Sequence, residues 1–152
     1  MSKRRSARII AVQCCYANLL ADSWQNMQVL KNGVLSMQLD ETNQEKKYDT
    51  DFLDFLIGCI EDNNVNYQDI IKKFLNPNWS LQRLDLTKLA ILQCAICELK
   101  YCKKVDAVVI INEYVTVSRL FLQGKDIDFV NAILEKIANH LSQGEDKDGF
   151  NA

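Results

Sequence analysis

Apolar residues recur at helical spacing along almost the whole chain, and this pattern predicts an all-α protein. The first helix is expected from about 4 to 21 and a second from roughly 25 to 39. Two further stripes, before and after the Asn-rich break at 63–66, indicate two consecutive helices. Their apolar members are Tyr48, Phe52, Phe55, Leu56, Cys59 and Ile60 in the earlier stripe, and Ile70, Ile71, Phe74 and Leu75 in the later one.

Three more helices are predicted in the second half of the chain. A helix from about 81 or 85 to 102 is apolar on nearly every side, which is typical of a buried, central helix. The segment AVVII at 107–111 is rich in β-branched residues, but helical spacing continues beyond it and favours a helix after an Asp106 cap. Gly124 interrupts the pattern, and an amphipathic helix capped by Asp126 follows.

The seven predicted helices form a single domain over residues 1–141, and the polar residues 142–152 are predicted to be a disordered tail. A chain of 152 residues, 48% of them apolar, can fill one hydrophobic core. No stretch approaches the roughly 18 consecutive apolar residues of a membrane-spanning helix. We therefore expect a globular protein that does not enter a membrane.

Five of the six cysteines lie inside apolar helical patterns, where free cysteine packs as a small hydrophobe. Cys94 and Cys97 form a CxxC pair, but no second pair completes four zinc ligands, and His140 is the only histidine. A redox CxxC is expected beside a strand, and none is predicted here. The sequence therefore predicts cysteines packed in the core, no bound metal, and a reducing cytoplasm as the compartment.

The first eight residues carry four cations and no acid, although the formal net charge of the chain is −2, so residues 9–152 carry −6. The cations are Lys3, Arg4, Arg5 and Arg8. Cations near a helix N-terminus oppose the helix dipole by a few tenths of a kcal/mol each at exposed positions. Local stability does not explain the cluster, and a phosphate backbone is its plainest ligand.

Two other interpretations of this basic start stay open. Cations followed by the apolar run at 9–20 are also a feature of secretory signals, but Gln13 and Asn18 interrupt the run and no small-residue cleavage pattern closes it. A solvated, frayed terminus is the second alternative. The helical spacing of the apolar residues favours an amphipathic helix over both.

No catalytic constellation is found in the sequence. It contains no GxGxxG motif, no P-loop, and no Ser, His and Asp set with a justified spacing. Acids such as Asp85, Glu98 and Glu113 lie on predicted helices, where capping or ion pairing explains them. We therefore predict a protein without catalytic residues and without a cofactor.

A cation and an aromatic ring share one face of the first helix. Arg5 and Tyr16 are 11 residues apart, about three turns at 3.6 residues per turn. Single-stranded RNA offers phosphates to the cation and unstacked bases to the ring. The pair therefore suits an RNA-binding surface.

Five segments, in order, resemble the family of the bacterial transcription antitermination factor NusB. The first helix, RRSARIIAVQCCY at 4–16, resembles the arginine-rich start of the family followed by its Ala-Val-Gln and Tyr positions. The other segments are NWSLQRL at 78–84, AILQCAICEL at 90–99, INEYVTVSRLF at 111–121 and FVNAILEKI at 129–137. Each segment alone is weak evidence for the family, but five matches in the same order, with almost no insertion between them, are specific for it.

The resemblance implies an all-α fold of two packed three-helix subdomains with a further helix, divided into about 1–76 and 77–141. It also implies a function. NusB-like proteins bind the boxA element of ribosomal RNA leaders together with NusE, a small-subunit ribosomal protein, and help RNA polymerase to pass terminators. Family members occur as monomers and as homodimers, so the resemblance leaves the oligomeric state open.

The resemblance, with charge and position, also predicts which residues meet RNA. The expected set comprises cations and two aromatic residues: Lys3, Arg4, Arg5, Arg8, Tyr16, Lys88, Lys125 and Phe129. Lys3 and Lys88 come from charge and position rather than from the family motif, and Phe129 would mark the far end of the RNA track.

Several positions depart from the family pattern. Ser6 stands where the family often has a third consecutive arginine, which removes one charge. Asp106 and Val108 replace its usual Pro and Lys, and Lys125 adds a cation to a loop that is more acidic in the family. Loss of the charge at Ser6 is expected to reduce phosphate affinity, and the direction of the effect of Lys125 stays open.

Two other classes of protein remain as alternatives. An all-α adaptor would dock an acidic protein on the basic helix without RNA, and a salt-resistant protein contact would favour it. The RNA-binding leader domain of an RNA methyltransferase is disfavoured because the 152 residues include no glycine-rich cofactor loop.

Overall fold

A computed structural model of the chain describes residues 2–21, 25–38, 47–62, 66–78 and 80–148. Within these ranges the chain forms seven α-helices and a short 3-10 turn at Leu81–Arg83, and no strand. The helices are α1 (Lys3–Leu20), α2 (Met27–Gln38), α3 (Thr50–Glu61), α4 (Tyr67–Phe74), α5 (Leu86–Tyr101), α6 (Ala107–Phe121) and α7 (Lys125–Asp148). The predicted all-α class is confirmed. None of the described helices is both long and apolar enough to cross a membrane.

Polar side chains cap the start of most described helices. A side-chain oxygen at the cap accepts a hydrogen bond from the backbone N–H three residues later, which satisfies one of the free donors of the first turn. The capping residues are Ser2, Asn26, Asp49, Asn66 and Asp85. Asp106 occupies the cap position of α6 but makes no capping hydrogen bond, and Asp126, predicted as a cap, lies inside the first turn of α7.

Helix α5 lies at the centre of the fold, as its apolar sequence predicted. Every residue from Leu89 to Leu99 is buried. The helix packs against α1, α3, α4, α6 and α7. A helix that is surrounded on all sides has little need of a polar face, which explains why its apolar residues show no single stripe.

The helices form two groups that share this core. In the described residues, α1 packs with α2 and α3, and α5 packs with α6 and α7. Helix α4 contacts α5, α7 and the 3-10 turn, so it sits with the second group, whereas the predicted division at about residue 76 placed it with the first. Because α1 packs extensively on α5, the two groups are not separate cores.

The end of α7 differs from the sequence prediction. Gly124, at the turn between α6 and α7, has a φ of 55°, a left-handed conformation that favours glycine. From there α7 runs to Asp148, past the predicted end at 141. Residues 142–148 contain no apolar stripe, so the apolar pattern that predicted the helix stops before the helix itself ends. Residues 149–152 lie outside the described ranges.

Candidate RNA-binding surface

The exposed cations of the basic cluster lie at the first turn of α1. Lys3 and Arg4 are both exposed. The guanidinium carbon of Arg4 lies 4.0 Å from the centroid of the Phe52 ring on α3, a cation–π contact that orients the side chain. Neither residue forms an ion pair with any described residue. Lys3 and Arg4 are therefore the cations of the cluster that remain available to a phosphate.

Arg5 is held by an acid on α6. Its Nε and Nη2 atoms donate to the two carboxylate oxygens of Glu113 at 2.9 and 3.1 Å. The side chains of Arg5 and Glu113 are 30% and 22% exposed, so the pair lies at the edge of the surface. The hydrogen bond from Arg5 lowers the pKa of Glu113 below its ordinary value. A phosphate that binds Arg5 must share the guanidinium with Glu113 or displace it.

Arg8 belongs to the core rather than to the surface. It is only 4% exposed, and its Nε and Nη2 atoms donate to the Glu98 carboxylate at 2.9 and 2.8 Å. The hydroxyl of the buried Tyr114 also donates to Glu98, at 2.8 Å. The guanidinium therefore pairs inside the protein, because a buried charge requires a partner. The RNA contact expected for Arg8 stays a prediction, and the structure does not place this side chain on the surface.

Tyr16 borders an open cavity between α1, α5 and α6. The cavity has a volume of about 260 Å³ and is lined by Val12, Gln13, Tyr16, Thr87, Ala90 and Phe121. Tyr16 and Phe121 are 40% and 39% exposed as residues. Since Arg5 meets Glu113 and Tyr16 lies near Phe121, both residues face α6, and the predicted shared face of α1 is confirmed.

Lys88 lies at the start of α5, next to the cavity residue Thr87, but acids neutralise it. Its Nζ atom is 2.7 Å from a carboxylate oxygen of Asp126 and 3.4 Å from one of Asp85. The same atom lies 5.6 Å from the centroid of the Phe129 ring. The structure thus brings Lys88 and Phe129 together.

Lys125 and Phe129 differ in their access to solvent. Lys125 is exposed at the first residue of α7 and forms no ion pair with the described residues, whereas Phe129 is half-buried and packs against the core. Of the two, Lys125 is the residue that can meet a phosphate directly.

Phe121 was not among the predicted RNA-binding residues. It follows the buried Ile110, Tyr114 and Val117 at helical spacing on α6, so the sequence pattern alone predicts a core residue at this position. Only the cavity shows that it shares a site with Tyr16.

The cysteines pack in the core as predicted. Five are buried and Cys102 is half-buried; all six are free thiols. The Sγ atoms of Cys15 on α1 and Cys94 on α5 lie 3.2 Å apart. Burial raises the pKa of Cys14 and of Cys59 to about 12. The described residues contain no group of three or more His, Cys, Asp or Glu side chains arranged to hold a metal.

The fold and this surface define a class, an all-α protein in which one edge of the first helix carries cations and a stacking ring suited to nucleic acid. The model of the NusB family matches residues 5–139. The chain therefore belongs to the NusB family.

Curated relatives agree with this assignment. The chain is similar to the transcription antitermination protein NusB of Bartonella tribocorum, with 30% identity over 151 aligned positions that cover 92% of this chain and 90% of that protein. The NusB protein of Rickettsia typhi is 28% identical over 142 positions, covering 91% of this chain and 92% of the relative.

Solved structures show the same fold. NusB of T. maritima has a TM-score of 0.73 and 25% identity, with 91% of this chain and 93% of that chain covered. A crystal structure of the antitermination factors NusB and NusE in complex with dsRNA contains a chain with a TM-score of 0.73 at 20% identity, covering 90% of this chain and 96% of that one. At this identity the second likeness bears on the fold alone.

Proposed function

We propose that this chain is a transcription antitermination factor that binds the boxA element of ribosomal RNA leader transcripts. The observation that carries the proposal is the pair of exposed cations, Lys3 and Arg4, at the start of the helix that also presents Tyr16. Membership of the NusB family supports it, because relatives at 28% and 30% identity are transcription antitermination proteins. We assign no catalytic step to the chain.

The exposed cations are a feature that folding does not require. They oppose the dipole at the start of α1 by a few tenths of a kcal/mol each. The Ser2 cap, which accepts a hydrogen bond from the Arg5 N–H at 3.0 Å, contributes about 1 kcal/mol in the opposite direction. The helix thus tolerates a charge arrangement that serves an anionic ligand.

The same electrostatics make a second RNA-binding protein part of the proposal. Two of the cations on this side, Arg5 and Lys88, are already paired with Glu113 and Asp126, so few positive charges remain for phosphates. We propose that NusE, a basic small-subunit ribosomal protein, continues the RNA track and connects the chain to the RNA polymerase antitermination complex in the cytoplasm. RNA and NusE should each tighten binding of the other about fivefold to tenfold, by the same factor in both directions.

A salt titration tests the RNA contact directly. Lys3→Ala/Arg4→Ala should weaken binding of a labelled boxA-like RNA and flatten the plot of log affinity against log salt. The slope should change by about 0.7 for each lost phosphate contact on single-stranded RNA, or about 1.4 for the pair. The measurement is fluorescence anisotropy at several salt concentrations, with and without NusE, beside a scrambled RNA.

Two exposed lysines far from α1 provide the matched control. Lys73 on α4 and Lys136 on α7 are exposed, and α4 and α7 pack with each other and with α5 rather than with α1. The Lys73→Ala/Lys136→Ala variant removes the same charge but should keep the wild-type slope. Equal slopes for the two double variants would refute a specific contact at α1. Salt-resistant binding of an acidic protein, with no preference for boxA, would replace this function with the adaptor alternative.

A further inference from the structure

We propose that Phe52 on α3 is a positioning residue for RNA binding, because its ring holds the exposed guanidinium of Arg4 ready to meet a phosphate. This inference rests on the RNA-binding function proposed above. It adds a residue that lies in the core and acts on RNA only through Arg4. In the sequence, Phe52 is one member of an apolar stripe, and the stripe alone indicates no such role.

The Phe52 ring is itself fixed by its neighbours. Phe52 is buried, and the ring of Phe55 stacks beside it with the two centroids 6.1 Å apart and an angle of 18° between the planes. The guanidinium carbon of Arg8 lies 4.8 Å from the Phe52 centroid, and Arg8 is held by two hydrogen bonds to Glu98. A ring packed in this way is a rigid platform for a side chain that lies over it.

Arg4 uses this platform without losing its charge or its hydrogen-bond donors. Its guanidinium carbon is 4.0 Å from the Phe52 centroid, well inside the limit of about 6 Å for a cation–π contact. A guanidinium stacks through its flat face, whereas its N–H donors point outward in the plane. Arg5 shows the contrast, because Glu113 holds it through those same donors. A ring can therefore fix an arginine that an acid would neutralise.

The backbone also joins the start of α1 to the ring. The N–H of Asp49 donates to the carbonyl oxygen of Lys3 at 3.0 Å. The Asp49 side chain caps α3 by accepting a hydrogen bond from the N–H of Phe52, also at 3.0 Å. One residue thus connects the first turn of α1 to the residue that carries the ring, so the exposed cations and the platform keep a fixed relative position.

The physical consequence is a lower entropic cost of binding. A free arginine side chain loses rotamer freedom when it binds a phosphate. Where a ring already restricts the side chain, less freedom is lost on binding, and affinity rises. For an exposed cation–π contact, loss of the ring should weaken RNA binding about 2-fold to 5-fold.

A double-mutant cycle on RNA affinity tests this role. Phe52→Leu should weaken binding of a labelled boxA-like RNA about 2-fold to 5-fold. It should leave the slope of log affinity against log salt close to the wild-type value, because the Arg4 charge is still present. In the Arg4→Ala background the same change should have no further effect, since the side chain that the ring positions is gone. Fluorescence anisotropy measures all four proteins.

Two further variants separate positioning from folding. Leu56→Ala removes another buried side chain of α3, one turn further along, and should lower the melting temperature but bind RNA like wild type. Phe52→Tyr keeps a ring at the same position and should restore binding. Thermal unfolding of each variant sets an assay temperature below the lowest midpoint.

Nuclear magnetic resonance of the free protein gives a readout that needs no RNA. The Arg4 side-chain N–H should show a ring-current shift and restricted motion in the wild type. In Phe52→Leu the shift should disappear and the order parameter should fall below about 0.6, the range of flexible groups. Equal mobility of Arg4 in the two proteins would refute the platform.

The outcomes distinguish this inference from the proposed function. If Phe52→Leu weakens RNA binding equally with and without Arg4, or if Leu56→Ala loses as much affinity, the effect is one of folding. The positioning role is then wrong, and the RNA-binding function stands. If wild-type protein binds no boxA-like RNA, both proposals fail.

Discussion

Removal of the Glu98 charge should strongly destabilise the protein. The Arg8 and Glu98 side chains are only 5% and 0% exposed, at an N–O distance of 2.8 Å, and Tyr114 donates a third hydrogen bond to the same carboxylate. In Glu98→Gln the amide oxygen can still accept from Tyr114, but the buried Arg8 guanidinium loses its close partner and keeps only the Glu113 carboxylate, which lies 3.7 Å from Nη1 and is already hydrogen-bonded to Arg5. Breaking a buried ion pair from one side costs about 3–5 kcal/mol.

This loss is a large part of the stability expected for a single domain, about 5–15 kcal/mol. With a urea m-value of about 2 kcal/mol/M, the unfolding midpoint should fall by about 1.5–2.5 M. The melting temperature should fall by about 6–20 °C, since each kcal/mol shifts it by about 2–4 °C in a chain of this size. Urea unfolding followed by far-UV circular dichroism measures the change.

A double-mutant cycle shows whether the two charges depend on each other. Arg8→Met should destabilise the protein by a similar amount, because it leaves Glu98 buried and unpaired. The double variant Arg8→Met/Glu98→Gln removes both charges and should be clearly more stable than the sum of the single losses predicts. Additive losses, or a loss below about 1 kcal/mol for Glu98→Gln, would contradict the buried pair.

Two further predictions concern pH and the thiols. The hydrogen bond from Arg5 lowers the folded-state pKa of Glu113. The ionised Glu113 therefore stabilises the fold fully above its unfolded-state pKa of about 4.3, and this stabilisation is lost as the pH falls through the lower folded-state pKa. In urea titrations at acid pH, Glu113→Gln should lack this pH-dependent part of the stability, and identical pH profiles for the variant and the wild type would contradict the prediction. Chelator or mild reductant should leave the melting temperature and RNA affinity unchanged, because removal of a structural zinc or a disulfide would cost several kcal/mol and neither is expected here. Stoichiometric metal by elemental analysis would overturn this prediction. Among the cysteines, only the half-buried Cys102 should react rapidly with a thiol reagent.

The helices were predictable because apolar periodicity is a local property of the sequence. The central helix was expected from about 81 or 85 to 102 and is observed at Leu86–Tyr101, preceded by a 3-10 turn. The β-branched segment at 107–111 forms the start of α6, as its spacing rather than its composition indicated. The packing of α4 against α5 and α7 was missed, because a stripe shows that a helix buries one face but does not show against what.

The roles of the arginines could not be separated in the same way. Arg8 and Glu98 are 90 residues apart, and a single sequence does not reveal such a pairing. Two signals were nevertheless present. Arg8 lies three and seven residues before the buried Ala11 and Cys15, on the face of α1 that enters the core. Glu98 stands in the last turn of an apolar helix, among buried residues, where an acid needs a buried partner.

The two paired arginines give the exposed residues of α1 a fixed position. Arg8 joins α1 to α5 through Glu98, and Arg5 joins it to α6 through Glu113. Because α1 is attached in this way to both α5 and α6, its position in the fold is fixed. The cations at its start, Lys3 and Arg4, are therefore held at a constant distance from Tyr16. A ligand that spans them then needs less ordering of the protein on binding, which lowers the entropic cost of association. Ion pairing therefore divides the basic cluster into two groups: Arg5 and Arg8 pair with acids on neighbouring helices, and Lys3 and Arg4 form no ion pair with the described residues.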